Sequence, residues 1–153
     1  MKPCLLFIFM LPFVGTAQIK FFTDPIFKEP LPDSIPLKSK TVKISGRSFI
    51  EICNGLLDAG YELEKKDSEL QTVQNKSVEY MGLGVCYTNI ISVRVRGDTS
   101  YLNGKYYLPY NGLQSGYYLE KQGKPKKTVD VMAFLDAYLF AKKISNNLFY
   151  DSK

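Results

Sequence analysis

Asn89-Ile90-Ile91-Ser92-Val93-Arg94-Val95-Arg96 is the stretch that decides the fold. Ile91, Val93 and Val95 alternate with Ser92, Arg94 and Arg96, so an extended chain puts branched apolar side chains on one face and polar ones on the other. That pattern predicts a strand with one face buried and one face wet or bound. Upstream, Ser48-Phe49-Ile50-Glu51 has the form of a capping box, with Ser48 at the N-cap and Glu51 at N3. Phe49, Ile52, Cys53, Leu56 and Leu57 follow at i, i+3, i+4, i+7 and i+8, the apolar stripe of a packed helix. Gly60 suits the C′ position that ends it. Gly55 inside this helix costs about 1 kcal/mol relative to Ala; we read it as room for close backbone packing.

Around these two elements the chain alternates in short stretches. Residues 41–45, 61–65 and 70–78 read as strands, with a polar turn at Lys66-Asp67-Ser68-Glu69. Asn103-Gly104, between residues 99–102 and 105–108, is the strongest short hairpin signal in the sequence. Residues 117–120 add a further strand. Thr128 caps a final helix over residues 129–145, with Val131, Phe134, Leu135, Tyr138 and Leu139 as its apolar face and Lys142 and Lys143 in its last turn, where they suit the helix dipole. A run of strands framed by helices predicts an α+β fold: an antiparallel, twisted sheet of about five strands with two helices packed on one face.

The chain has 153 residues, a length of one domain or at most two. Residues 1–17 read as a secretory signal peptide: Lys2 supplies the positive start, residues 5–14 the apolar run, and Gly15-Thr16-Ala17 a small-residue cleavage site before Gln18. Cys4 precedes the apolar run, whereas a lipidated cysteine would follow it. The run is too short, and is broken by Pro12, to cross a bilayer. No later apolar stretch approaches the required length of about 18 residues, so no transmembrane helix is expected. Residues 18–40 carry Pro25, Pro30, Pro32 and Pro36 and read as a proline-rich arm or linker, leaving residues 41–150 as a single α+β domain. The expected location is exported, periplasmic or extracellular.

There is no His and no Trp. The missing His removes the side chain most used for proton transfer near neutral pH and the commonest metal ligand. Formal net charge is +5, and loss of Lys2 with the signal takes the basic side chains from 20 to 19 against 15 acidic ones.

The segment 49–75 runs from a helix into Gly60-Tyr61-Glu62-Leu63, then Asp67-Ser68-Glu69 and Val73-Gln74-Asn75. This resembles small secreted bacterial domains of unknown function, of the Bacteroidetes type, with a TATA-binding-protein-like or BamC-like helix-grip fold. Asn75 stands where those modules usually have Thr. The resemblance covers the segment 49–75 directly and the element order of 41–145 more loosely. It implies an envelope location and a binding or assembly role, and it transfers no catalytic residues.

Candidate chemistry is sparse. Asp67 and Glu69 are the closest carboxylate pair, but on a two-residue spacing in a polar turn they read as solvated turn residues. A hydrolase working through carboxylates or a Ser–Lys pair is the enzymatic alternative; Ser45 lies two residues from Lys43, yet no supporting motif accompanies it. Cys53 and Cys86 form a possible disulfide in an oxidising compartment, against the alternative of two small core residues. Neither a metal site nor a cofactor is expected, since two thiols without CxxC spacing do not make four ligands. Arg96-Gly97-Asp98 reads as turn chemistry after a strand.

The most unusual feature is a tyrosine cluster. Tyr101, Tyr106, Tyr107, Tyr110, Tyr117 and Tyr118 fall close together in the sequence, among Asn103, Asn111 and Gln114. Tyrosine joins rigid apolar area to a polar tip and is enriched in binding surfaces. Alternation places Tyr106 and Tyr107 on opposite faces, so part of the cluster is packing. The candidate binding set is Tyr101, Tyr107, Tyr110 and Tyr118 with Arg94 and Arg96. Two basic clusters, Lys38/Lys40/Lys43 and Lys121/Lys124/Lys126/Lys127, suit anionic envelope material better than nucleic acid in an exported protein. The reading is therefore an exported, non-enzymatic module contacting an envelope protein or glycan. A structural subunit that forms a homo-oligomer by lending its arm as a strand to a neighbour is a further alternative.

Overall fold

The computed structural model describes residues 19–21, 35, 36, 38–82, 85–108, 112–116, 120, 121, 124, 125 and 129–151. The expected signal segment 1–17 lies outside them, as do Tyr110, Tyr117, Tyr118, Lys126 and Lys127. In chain order the elements are β1 (Ile19–Phe21), β2 (Val42–Ser45), α1 (Phe49–Asp58), β3 (Leu63–Asp67), β4 (Thr72–Asn75), β5 (Val78–Gly82), β6 (Val85–Arg96), β7 (Thr99–Leu108), β8 (Gly112–Ser115), β9 (Glu120–Lys121), β10 (Lys124–Pro125), α2 (Val129–Ile144) and β11 (Leu148–Tyr150).

The α+β class holds, but the main sheet is larger than expected. Eight strands are joined by antiparallel pairs and β1 adds a ninth, parallel to β5. The two long strands β6 and β7 form the spine. Along its outer edge β6 pairs first with β5 and then with β4, which in turn carries β3. The outer edge of β7 divides in the same way, between β2 with β11 and β8. β9 and β10 make a separate two-stranded ribbon. The strands missed from sequence, such as β1, β8 and β11, are too short for alternation to register.

Two sequence expectations are corrected here. Asn103-Gly104 is not a hairpin turn: β7 runs straight through it, and the reversal comes at Gly97-Asp98, where Gly97 has φ 58°. Gly104 is a glycine because α2 lies against it. A Cβ there would sit 1.7 Å from the carbonyl oxygen of Ala133, the use of an in-strand glycine that lets another backbone approach. Residues 70–78 are two strands rather than one, separated at Lys76-Ser77 and paired with different stretches of β6.

Helix α1 forms as its caps dictate. The Ser48 hydroxyl accepts the backbone N–H of Glu51, and the Glu51 carboxylate accepts the backbone N–H of Ser48, completing the capping box. At the other end the N–H groups of Gly60 and Tyr61 donate to Leu57 and Leu56 carbonyls, a Schellman closure with Gly60 at φ 84°. Phe49, Ile52, Cys53 and Leu56 are buried. Gly55 does permit a close approach: a Cβ on it would lie 3.0 Å from Ile144 of α2. Helix α2 is buried at every position from Val131 to Tyr138, far more than one apolar face, because α1 and the sheet spine both pack on it. Both helices rest on the same face of the sheet, over Val42, Ile44, Val73, Ile91, Val93 and Leu102, all essentially inaccessible to solvent. Each fully buried side chain of this kind contributes roughly 1.5–3 kcal/mol.

The arm is used within the chain itself. Its segment Ile19–Phe21 pairs in parallel with Glu79–Met81 of the same sheet. Ile35 joins the core, and the hydroxyl of buried Ser39 donates to the Asp151 carbonyl at 3.0 Å.

Candidate functional site

On the face of the sheet opposite the helices the described side chains are half-buried or exposed. Antiparallel register arranges its side chains in rows across the strands. One row runs Asp67, Thr72, Arg94, Tyr101, Lys43, Phe149. The next runs Lys65, Gln74, Ser92, Asn103. A third sets Ile90 beside Lys105 and Ser115, and a fourth Thr88 beside Tyr107 and Leu113. β3, β4, β6 and β7 form a groove of about 730 Å³ on this face, with Lys65, Thr72, Gln74, Ser92, Arg94, Asn103 and Lys105 among its lining residues.

The groove is polar, and its lining carries four cationic side chains, Lys65, Lys66, Arg94 and Lys105, against two acidic ones, Glu64 and Asp67. The Gln74 amide donates to the Ser92 hydroxyl at 3.2 Å, and the Thr41 hydroxyl donates to Asn103 Oδ1 at 2.8 Å, which leaves the Asn103 amide N–H groups directed elsewhere. Among the described residues, Lys65, Arg94 and Lys105 make no ion pair. Of the acids at the rim, Asp67 is engaged locally: its Oδ1 accepts the backbone N–H groups of Glu69 and Leu70 at 3.0 and 2.9 Å and shapes the turn in which Gln71 takes φ 52°.

The sequence-derived binding set divides in this setting. Arg94 and Tyr101 are direct cross-strand neighbours. Arg96 is exposed one rung further along, beside the Gly97-Asp98 turn. Tyr107 shares the open face but lies well along β7 from Tyr101, at a distance of about 20 Å by strand rise; it is 46% exposed and stands opposite exposed Leu113. Tyr106 faces the helices, where its hydroxyl donates to the Asp130 carboxylate at 2.6 Å. Tyr110 and Tyr118 fall outside the described residues.

At the far end of the first row, the Lys43 ammonium lies 5.6 Å from the Tyr101 ring centre and pairs with Asp151 at 2.5 Å. The Asp151 hydrogen bond raises the Lys43 pKa, and the same bond lowers that of Asp151. Tyr150, partly buried in β11, is pushed up to about 12 by desolvation, with a smaller contribution from Tyr138. Inside the core, the Asn89 amide donates to the buried Asp136 carboxylate at 2.7 Å.

Cys53 is buried in α1 with a free thiol, which desolvation pushes to higher pKa against a smaller opposing effect of Lys66. Cys86 stands on β6 opposite Met81, and its side chain lies outside the described set. Among the described residues no three His, Cys, Asp or Glu side chains are grouped to hold a metal, and no helix is long and apolar enough to cross a membrane.

Sequence reasoning missed Lys65, Lys105, Gln74, Ser92 and Asn103 as groove residues. The signal for Lys105 and Asn103 was present: Tyr101, Asn103, Lys105 and Tyr107 alternate without a break, and only the hairpin reading of Asn103-Gly104 divided them. No protein-family model matches the chain, and a search of curated proteins returns no significant match.

Proposed function

We propose that this chain is an exported, non-enzymatic binding module of the bacterial cell envelope, contacting a protein or glycan partner through the open face of its sheet. One observation carries the reading: Arg94, exposed and without a described ion-pair partner, projects beside Tyr101 from the spine of a sheet whose other face is fully committed to the core. A charged side chain on a rigid strand, with an aromatic neighbour held in register, is a preorganised contact that loses little conformational entropy on binding. Export rests on residues 1–17 as read from sequence. The hydrolase alternative is disfavoured by Asp67, whose carboxylate caps a turn instead of facing Glu69 across a cleft.

The test has two parts. Expression in an exporting bacterial host, fractionation and amino-terminal sequencing should find the chain outside the cytoplasm and starting at Gln18; an intact start inside the cell overturns the location. Arg94→Ala combined with Tyr101→Ala should leave the thermal midpoint close to wild type and abolish sedimentation with purified envelopes. Undiminished sedimentation overturns the assigned face.

A further inference from the structure

We infer that the groove over β3, β4, β6 and β7 takes an acidic glycan, a saccharide chain bearing carboxylate, sulfate or phosphate groups. This rests on the preceding reading of the open face and names its ligand class.

Three cations rise from three different strands: Lys65 from β3, Arg94 from β6 and Lys105 from β7. By register, Lys65 stands two strands and one rung from Arg94, and Lys105 one strand and two rungs from it on the other side. Strand spacing then puts their Cα atoms about 12–16 Å apart. Between them lie Gln74, Ser92 and Asn103, all uncharged hydrogen-bonding groups. Separated charges over a neutral polar floor match a chain that repeats its anionic groups along its length, better than they match one small anion.

The same floor argues against a protein partner at this place. A stable protein contact is anchored by an apolar or aromatic side chain buried in a pocket. In the groove the side chains of Val73 and Val93 are buried toward the helices, and the open-face positions between the cations are amide and hydroxyl. The floor strands β4, β6 and β7 are also paired on both sides, so among the described strands of the groove a peptide finds an edge to extend only at the outer margin of β3. Saccharide hydroxyls, which both donate and accept, suit Ser92 and the Asn103 amide, while guanidinium and ammonium groups meet the acid groups.

The experiment uses the protein purified from an exporting host and four probes: polygalacturonate, neutral dextran, poly-glutamate and single-stranded oligo-thymidylate, with binding measured by calorimetry at low and moderate salt. Polygalacturonate should bind, with affinity falling as salt rises. Dextran should not bind, and poly-glutamate and oligo-thymidylate should bind at least about tenfold more weakly, because they lack the hydroxyl pattern read by the floor. Arg94→Gln with Lys105→Gln should weaken polygalacturonate binding about tenfold or more, as should Asn103→Ala with Ser92→Ala. Lys142→Gln, exposed on the helical layer, should leave it unchanged. Equal or tighter binding of poly-glutamate or oligo-thymidylate, or indifference to the groove variants at unchanged thermal midpoint, overturns the inference. If the Arg94 and Tyr101 double variant loses envelope sedimentation while no glycan probe binds, the open-face reading stands and the glycan falls. If neither occurs, both fall.

Discussion

Asn75 Oδ1 accepts the backbone N–H of Ile91 at 2.5 Å, deep in the core, and Asn75 Nδ2 donates to the Lys76 carbonyl at 2.7 Å. Ile91 sits where β4 leaves the edge of β6 and β5 joins it, at the gap between the pairs that end at Gln74↔Ser92 and begin at Val78↔Asn89. A strand edge that changes partners leaves a backbone donor without a ladder partner, and burying it unpaired is costly. One side chain closes the gap.

The first prediction follows. Asn75→Ala should destabilise the fold by about 1–3 kcal/mol, the cost of an unsatisfied buried donor. Asn75→Thr should cost a similar amount, because a side chain shorter by one atom does not reach the same N–H. Urea unfolding followed by circular dichroism measures both; midpoints equal to wild type would show that the junction is satisfied some other way.

Gly104 and Gly116 lie together under α2. The Gly116 N–H donates to the Gly104 carbonyl at 2.8 Å, and a Cβ on Gly116 would meet the Asp130 carbonyl at 2.6 Å. The obstacle in both cases is helix backbone, which cannot rotate away as a side chain can. Overpacking of a close-packed core typically costs about 1–3 kcal/mol, and Gly104→Ala should reach the top of that range or pass it. Gly46→Ala is the control for bulk alone: its site is open, so its cost should come only from the φ of 71°. A Gly104→Ala variant as stable as wild type would mean that α2 does not rest on the sheet there.

How much was legible turned on how local each determinant is. Helix α1 could be read from end to end because Ser48, Glu51 and Gly60 act within a turn of their own backbone. The alternation of residues 89–96 was equally legible because the faces of β6 differ so sharply. Asn103-Gly104 misled for a physical reason: its local turn preference is outweighed by a helix from much later in the chain, which brings the Ala133 backbone against Gly104. The groove was illegible as a unit because Lys65, Arg94 and Lys105 meet only through the pairing of β3 with β4, β4 with β6 and β6 with β7. Asn89 and Asp136 likewise become partners only when α2 docks.

The Lys43–Asp151 pair ties the chain end to the sheet beside β11, and its titration sets a pH window. Asp151 has its pKa lowered from the ordinary 3.8 by the Lys43 hydrogen bond, so its contribution is present above that value and is lost as pH falls through the depressed folded value. Lys43 has its pKa raised from the ordinary 10.5 by the hydrogen bond to Asp151, so its contribution is present below that value and is lost as pH rises through the raised one. Both groups are partly solvated, so the pair is worth about a few tenths of a kcal/mol at most. Asp151→Asn should therefore flatten the acid limb of stability against pH below about pH 4 while changing the neutral midpoint only slightly. A wild-type acid limb in that variant would assign the titration to other carboxylates.

Cys53 provides a chemical check on the docking of α1. Its side chain lies in the core with Ile52 and Leu56, and burial raises its pKa, so the reactive thiolate is scarce as well as inaccessible. Iodoacetamide at mildly alkaline pH should leave Cys53 unlabelled in the native protein and label it after unfolding in denaturant without reductant, with mass spectrometry of the Cys53 peptide as the readout. Labelling of the native protein would mean that α1 opens from the sheet under native conditions. Failure to label the denatured protein until a reductant is added would mean that the thiol is held in a disulfide with Cys86, closing the chain between them into a loop. Such a bond would stabilise by roughly 3–4 kcal/mol through the lost freedom of the unfolded chain.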